Sequence, residues 1–221
     1  PVTDAKVADL DGDGLPDLVV ATNSIVDANG APTGTGEVRI LWGLPPAYSF
    51  LEQSEVTGIA PYRIEVADVD ADGAPEIVAV DYVGARVAIV SPVRGFPASA
   101  ILLPTGELPS EILVTDVDED YLPDLVVLAT HLVGGTERIV EIDVYRGQGG
   151  LAFGVPDIYR FDGRDLGLLY GDLDGDEIGD LVLASTTDPT SVAILRGTGD
   201  GTFEDPEYVL VNGVPSGLTF V

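Results

Sequence analysis

The sequence predicts an all-β chain made of four copies of one four-stranded antiparallel unit. Three observations carry that expectation. Four acidic segments align without gaps, an alternating apolar element recurs between them, and no stretch keeps a helical period while 27 Gly and 16 Pro punctuate the chain. With 221 residues, 45% of them hydrophobic, the chain can bury a substantial core, and its aliphatic runs argue against disorder.

The acidic segments are ADLDGDGLPDLVV from Ala8, ADVDADGAPEIVA from Ala67, TDVDEDYLPDLVV from Thr115 and GDLDGDEIGDLVL from Gly171. Each has acids at relative positions 1, 3, 5 and 9, and the first acids, Asp9, Asp68, Asp116 and Asp172, are separated by 59, 48 and 56 residues. An apolar stretch leads into each loop (AKVADL, YRIEVADV, SEILVTDV, LGLLYGDL) and is read as strand A. The runs after the loops, LVVAT, IVAV, LVVLAT and LVLAS, are read as strand B. Strand C is EVRILWG from Glu37, RVAIVSP from Arg86, EIDVYRG from Glu141 and SVAILRG from Ser191, with Val38/Ile40, Val87/Ile89, Ile142/Val144 and Val192/Ile194 on one face. Strand D is expected to carry Phe50, Phe96, Phe153 or Phe203 and the residues that follow, as in FLEQSEV and FEDPEYVLV.

A four-stranded antiparallel unit recurring about every 50 residues is the signature of β-propeller blades. A sandwich rarely repeats its own sequence, and a β-solenoid coil is usually shorter. The repeats are placed at 1–58, 59–107, 108–163 and 164–213, followed by an extra inner strand at 214–221, in a single propeller segment. That last stretch, VNGVPSGLTFV, aligns with strand A. A leftover inner strand would expose unpaired backbone groups. Ser216–Val221 is therefore expected to pair with polypeptide outside the four repeats, either further blades of a larger ring or a neighbouring subunit.

The charge narrows the function. Thirty-eight Asp and Glu face ten Lys and Arg, with Lys6 the sole lysine, for a net charge of −28. Such a surface repels phosphates and anionic lipid, so no nucleic-acid partner is expected. No apolar run approaches the roughly 18 residues of a spanning helix, so no membrane insertion is expected either. The absence of Cys excludes a disulfide scaffold, a thiolate metal site and a cysteine nucleophile. Sixteen of the carboxylates belong to the four loops, which leaves 22 acids against ten bases elsewhere.

Hard cations such as calcium take six to eight oxygen ligands. A tight loop can aim side chains 1, 3 and 5 at one centre, add the carbonyl of residue 7 and close with a carboxylate at 9. Loop 1 would supply Asp9, Asp11, Asp13, the Leu15 carbonyl and Asp17; loop 2 would supply Asp68, Asp70, Asp72, Ala74 and Glu76. Loop 3 would use Asp116, Asp118, Asp120, Leu122 and Asp124, and loop 4 Asp172, Asp174, Asp176, Ile178 and Asp180. Up to four Ca2+ are expected, one per loop. Without a cation, carboxylates 4 Å apart repel by about 4 kcal/mol per pair at an effective dielectric of 20. Gly14 and Gly73 make the sharp turn at position 6, where Tyr121 and Glu177 stand in loops 3 and 4 and require a positive φ or a different turn. Helix-based calcium loops are excluded, because position 12 is Val20, Ala79, Val127 or Leu183 in a β-rich run rather than a Glu before a helix.

D-x-D-G-D-x-x-x-D loops with strand-forming flanks and Gly-Phe turns resemble the FG-GAP/VCBS repeat family. That family includes the calcium-binding blades of the integrin α-subunit propeller and many bacterial extracellular proteins. The resemblance covers nearly the whole chain and departs from the pattern at Glu76, Tyr121 and Glu177. It implies a β-propeller with calcium in each A–B loop, but no single activity. Members include adhesion receptors, lectins and polysaccharide-active enzymes. The expectation is an extracellular or cell-surface, secreted scaffold for adhesion or ligand binding, with structural calcium and a protein or carbohydrate ligand. The alternatives are the propeller of a lectin or polysaccharide-active enzyme, or a subunit of an extracellular assembly.

Nothing in the sequence assembles a catalytic set. His131, the only histidine, lies in THLVGGTER without a nucleophile motif. Asp81, Glu137 and Asp162 are spare acids, and Tyr62, Arg63, His131 and Arg138 fall in different repeats. Trp42 is expected to fill the gap between neighbouring blades. In an antiparallel blade the A–B and C–D connections share one end and the B–C connection lies at the other. Ligand recognition is expected at the latter, around Asn23–Gly36, Asp81–Ala85 and His131–Arg138.

Overall fold

In a computed structural model the described residues are 1–24, 26, 28, 33–45, 49–96, 100–133, 137–162, 165–185 and 191–211. They form sixteen β-strands and, among them, no helix. The strands make four separate four-stranded antiparallel sheets, each a meander in chain order. The proposed strand at 214–221 lies outside the described residues. The chain divides into two compact units, Pro1–Ser110 and Glu111–Val221.

The first unit holds two sheets. One is β1 (Val2–Ala8), β2 (Asp17–Asn23), β3 (Gly36–Leu44) and β4 (Ser49–Ile59); the other is β5 (Pro61–Ala67), β6 (Glu76–Asp81), β7 (Arg86–Val90) and β8 (Ala100–Pro104). The alternation read from the sequence is real in β2, whose residues are buried and half-buried by turns, whereas β6 is buried throughout, as its unbroken apolar run requires. Val19, Val38, Ile40 and Trp42 of the first sheet pack with Ile64, Ile77, Ala79 and Val90 of the second in one core. The indole of Trp42 is fully buried there and donates to Gln53 Oε1 at 3.1 Å, as a buried Trp N–H must. Polar contacts join the strands that open the two sheets. Thr3 Oγ1 donates to the Pro61 carbonyl at 2.7 Å, the Ile64 amide donates to Asp4 at 3.0 Å, and Lys6 pairs with Glu65 at 2.6 Å.

The second unit repeats the plan. It contains β10 (Asp124–Val133), β11 (Glu137–Tyr145) and β12 (Asp157–Asp162), with β9 (Pro109–Thr115) crossing the unit boundary at the sheet's edge. Its other sheet is β13 (Asp165–Gly171), β14 (Asp180–Ser185), β15 (Ser191–Leu195) and β16 (Glu207–Leu210). Val126, Leu128, Ile142 and Val144 pack with Leu168, Leu181, Leu183 and Leu195.

One element differs from the sequence reading. Only Phe50 lies within a strand D; Phe96, Phe153 and Phe203 make isolated bridges in the C–D turn, to Val93, Gly147 and Gly197. The glycine-rich turns curl back on strand C, with Gly154 and Glu204 amides donating to Arg146 and Arg196 carbonyls, so strand D begins several residues later.

Candidate metal centres

Each acidic loop joins strands A and B of one sheet, and local chemistry gives all four the same shape. The position-1 carboxylate accepts the amide of residue 6: Gly14 to Asp9 at 2.9 Å, Gly73 to Asp68 at 2.9 Å, Tyr121 to Asp116 at 2.9 Å and Glu177 to Asp172 at 3.1 Å. The position-5 carboxylate accepts the amide of residue 7, from Leu15, Ala74, Leu122 and Ile178, at 2.8–2.9 Å. Residues 4 and 6 both take positive φ. They are Gly12 and Gly14 in loop 1, Ala71 and Gly73 in loop 2, Glu119 and Tyr121 in loop 3, and Gly175 and Glu177 in loop 4. Tyr121 at +69° and Glu177 at +71° therefore keep the turn that glycine makes in loops 1 and 2, rather than adopting another. Each non-glycine residue held there costs about 1–2 kcal/mol, so loop 3 carries two such penalties and loop 1 none.

Carboxylate oxygens lie within 4.8 Å of one another in four sets: Asp9, Asp11 and Asp13; Asp68, Asp70 and Glu76; Asp116, Asp118 and Asp124; Asp172, Asp174 and Asp180. Positions 1 and 3 are brought together in every loop. Position 9 joins them in loops 2, 3 and 4, and position 5 does so in loop 1.

The position-9 acid also has a role the sequence did not suggest. Asp17, fully buried, accepts the Leu10 amide at 2.8 Å and the Gly43 amide at 2.7 Å. Asp124 accepts from Val117 and Gly147 at 2.7 Å each, and Asp180 from Leu173 at 3.1 Å and Gly197 at 3.0 Å. This carboxylate thus ties the start of its loop to the end of strand C. The tying glycines are obligatory, because a Cβ at Gly43, Gly147 or Gly197 would run into the carbonyl of loop residue 8. In the second repeat the corresponding residue is Pro92, which has no amide to give. The acid there is Glu76, which accepts the Val69 amide at 3.1 Å and a hydrogen bond from the Ser91 side chain. Glu76 thus reaches the Ser91 side chain where the aspartates of the other loops reach a glycine amide.

The charge state of the loops fits a cation. Burial, then the Asp70 and Asp72 charges, push the Glu76 carboxyl above the usual carboxylate range. Burial, with Asp118 and Asp116 adding, does the same to Asp124, and burial with the Asp120 and Asp116 charges raises Asp118. Asp172 goes the other way, held low by the backbone amides of Gly175 and Glu177. Asp118 Oδ1 is buried and accepts no hydrogen bond, which leaves a carboxylate oxygen with capacity for a further partner. An all-oxygen carboxylate set suits calcium or another hard cation.

Arginines meet two of the loops. Arg94, in the C–D turn of the second sheet, lies 3.0 Å from Asp11, 3.3 Å from Asp13 and 3.7 Å from Asp17. Arg196 sits 3.1 Å from Asp174 and 3.0 Å from Asp180. Arg146 instead pairs with Asp157 and donates to the Asp200 carbonyl at 2.8 Å.

Among the described residues, neither unit by itself brings together the residues weighed for catalysis. Asp81, nearly fully buried, accepts the Ala60 and Gly84 amides and pairs with Arg86 at 2.7 Å, a role in closing the B–C turn. Tyr62 packs at a tilt against Tyr82 at 5.3 Å and under Arg63 at 4.9 Å in the first unit, while His131 and Arg138 lie on β10 and β11 of the second. The side chains of Glu137 and Asp162 lie outside the described residues.

Four antiparallel meanders, each with an aspartate loop between its first two strands, define a β-repeat protein of blade-like units. Residues 9–79 match the family model described as an FG-GAP-like repeat, a span that runs from the first acidic loop through the second. Residues 9–79 therefore carry an FG-GAP-like repeat, and the third and fourth acidic loops follow the same spacing. No curated protein matches its sequence.

Proposed function

We propose that the chain is a calcium-stabilised, extracellular scaffold whose acidic loops each bind one Ca2+ and whose opposite ends are free for ligand recognition in adhesion. The observation that carries the metal half is the gathering of three carboxylates within 4.8 Å in all four loops. Asp9, Asp11 and Asp13 would hold the ion in loop 1, and the position 1, 3 and 9 acids in loops 2, 3 and 4. The remaining position-5 acids and the carbonyls of Leu15, Ala74, Leu122 and Ile178 would complete the sets. The ion would supply charge neutralisation and cross-linking of the A–B turn, a structural service repeated per sheet rather than a catalytic one.

Binding to the folded state alone raises stability by mass action. Excess chelator should lower the melting temperature and calcium should restore it, with magnesium a poor substitute because it demands octahedral geometry and keeps its waters. An unchanged melt in chelator, with no metal found in the purified protein, would overturn the reading.

Recognition is supported by a cavity of about 320 Å3 at the B–C end of the first sheet, away from the acidic loops. Hydroxyls of Thr22, Ser24, Thr35 and Thr57, the Asn23 amide and the Arg39–Glu37 ion pair line it, a wall suited to a polar ligand such as carbohydrate. Asn23 is almost fully buried there and its Oδ1 accepts no hydrogen bond, while its Nδ2 donates to Pro61 at 2.8 Å.

A further inference from the structure

The four loops have the same carboxylate pattern but different internal counter-charges. In loop 1 the guanidinium of Arg94 stands among three carboxylates, although it belongs to another sheet and is 81 residues from Asp13. It is held there on two further sides, donating to the Gly43 carbonyl at 3.0 Å and stacking over the Trp42 ring at 5.2 Å. In loop 4, Arg196 bridges the position-3 and position-9 acids of its own sheet. Loop 2 has no such guest. Ser91 occupies the place that Arg196 takes in the fourth repeat, and among the described residues no cation pairs with Asp68, Asp70, Asp72 or Glu76. Loop 3 has Arg146 close enough to favour the Asp118 carboxylate by its charge, but its hydrogen bonds go to Asp157 and Asp200 and none reaches the loop's acids.

We infer that Arg94 and Arg196 are tethered counter-ions that compete with metal, so that the loops form two classes of site. The inference rests on the calcium reading and deepens it. Loops 2 and 3, whose carboxylates no guanidinium bridges, bind first and tightly. Loops 1 and 4 bind only when their arginine withdraws, because a divalent ion and a guanidinium cannot share one set of carboxylates without strong repulsion. Arg94 has room to withdraw, since it borders a cavity of about 630 Å3 that also touches Asp9, Asp11 and Asp72. Loop 1 is also the loop whose gathered set omits the position-9 acid, the carboxylate that faces Arg94 Nη2. With little calcium, Arg94 ties the two sheets of the first unit together; with calcium, the ion takes over loop 1 and frees the arginine.

The test is a calcium titration of the whole chain by calorimetry, with bound ions counted by native mass spectrometry. The natural protein should show two tight and two weaker sites. Arg94→Gln should convert one weak site to a tight one, with affinity up by about tenfold or more once the competing charge is gone. Adding Asp9→Asn to that variant should abolish the gain, which assigns it to loop 1. Arg196→Gln should convert the other weak site and serves if the Arg94 variant folds poorly. In chelator Arg94→Gln should melt below the natural protein, and saturating calcium should close that gap. Four ions bound with one affinity, or Arg94→Gln and Arg196→Gln isotherms that match the natural one, would overturn the inference and leave the calcium reading standing. Absence of calcium binding by every variant would remove both.

Discussion

At the scale of single residues, the position-9 acid separates two roles that the loop pattern merges. Asp124 has both oxygens engaged by buried amides, from Val117 and Gly147 at 2.7 Å, whereas Asp120 is exposed and accepts the Leu122 amide of its own loop. An Asp124→Asn side chain would turn an NH2 group toward one of those amides and leave a buried donor unmet. That should cost about 1–3 kcal/mol. Asp120→Asn should cost much less, since its oxygen can still cap Leu122. Both should be measured by denaturant unfolding in excess chelator, so that lost metal binding does not enter. Equal losses for the two would mean that position 9 matters only as a ligand. The sequence made Asp124 legible as an acid in register, but its partner Gly147 is 23 residues away and only the folded sheet brings it near. Arg94 was hidden for the same reason. A ranking of loops by their glycines places loop 1 first and cannot see a guanidinium arriving from another repeat.

At the scale of the element, the loops show how far one conformation can be imposed on unsuitable residues. Tyr121 is 91% exposed, so no packing rewards its positive φ of +69°. What holds it is the bond from its amide to Asp116 and the closure of the turn by the flanking strands. Tyr121→Gly should raise the unfolding free energy in chelator by about 0.5–1 kcal/mol, the αL relief less the extra freedom of glycine in the unfolded chain. A loss of stability would show that the tyrosine makes a contact worth more than the strain. Strands A, B and C were legible because their apolar period is short and unbroken. Strand D was misplaced at its start, since Phe96, Phe153 and Phe203 look like strand residues but sit where glycines such as Gly95, Gly149, Gly150 and Gly201 turn the chain with positive φ. Periodicity finds the strand and is blind to a turn that carries one aromatic.

At the scale of the whole molecule, the net charge of −28 was the first thing the sequence offered, and the structure shows that much of it is organised. The carboxylates cluster at the A–B ends of the sheets, while the opposite end of the first sheet carries the hydroxyl-lined cavity. If the B–C connection shares in recognition with the cavity beside it, shortening residues 26–34 to an Asn-Gly turn should weaken binding without touching calcium. Asn23, the last residue of β2, pairs with Gly36, the first of β3, and Ser24 bonds Thr35, so the cut spares the residues that close the sheet. Binding of the whole and shortened chains to a glycan array should show carbohydrate signals weakened on shortening and an unaltered calcium-dependent melt. Signals kept in full would show that the connection takes no part in recognition.

The bond between the position-9 acid and the end of strand C also decides what can be exchanged between repeats. A loop moved alone from the second repeat into the third would set a glutamate against the Gly147 amide, where an aspartate fits, and would leave behind Ser91 and Pro92 without their partner. A loop moved the other way would bring an aspartate to a proline that has no amide to donate. The portable cassette is therefore loop, strand B and strand C together, from Asp68 to Pro92 or from Asp116 to Gly147. Recombination that cuts between loop and strand C would make chimeras with a mismatched clasp, whereas cuts in the C–D turn would pass the clasp on whole.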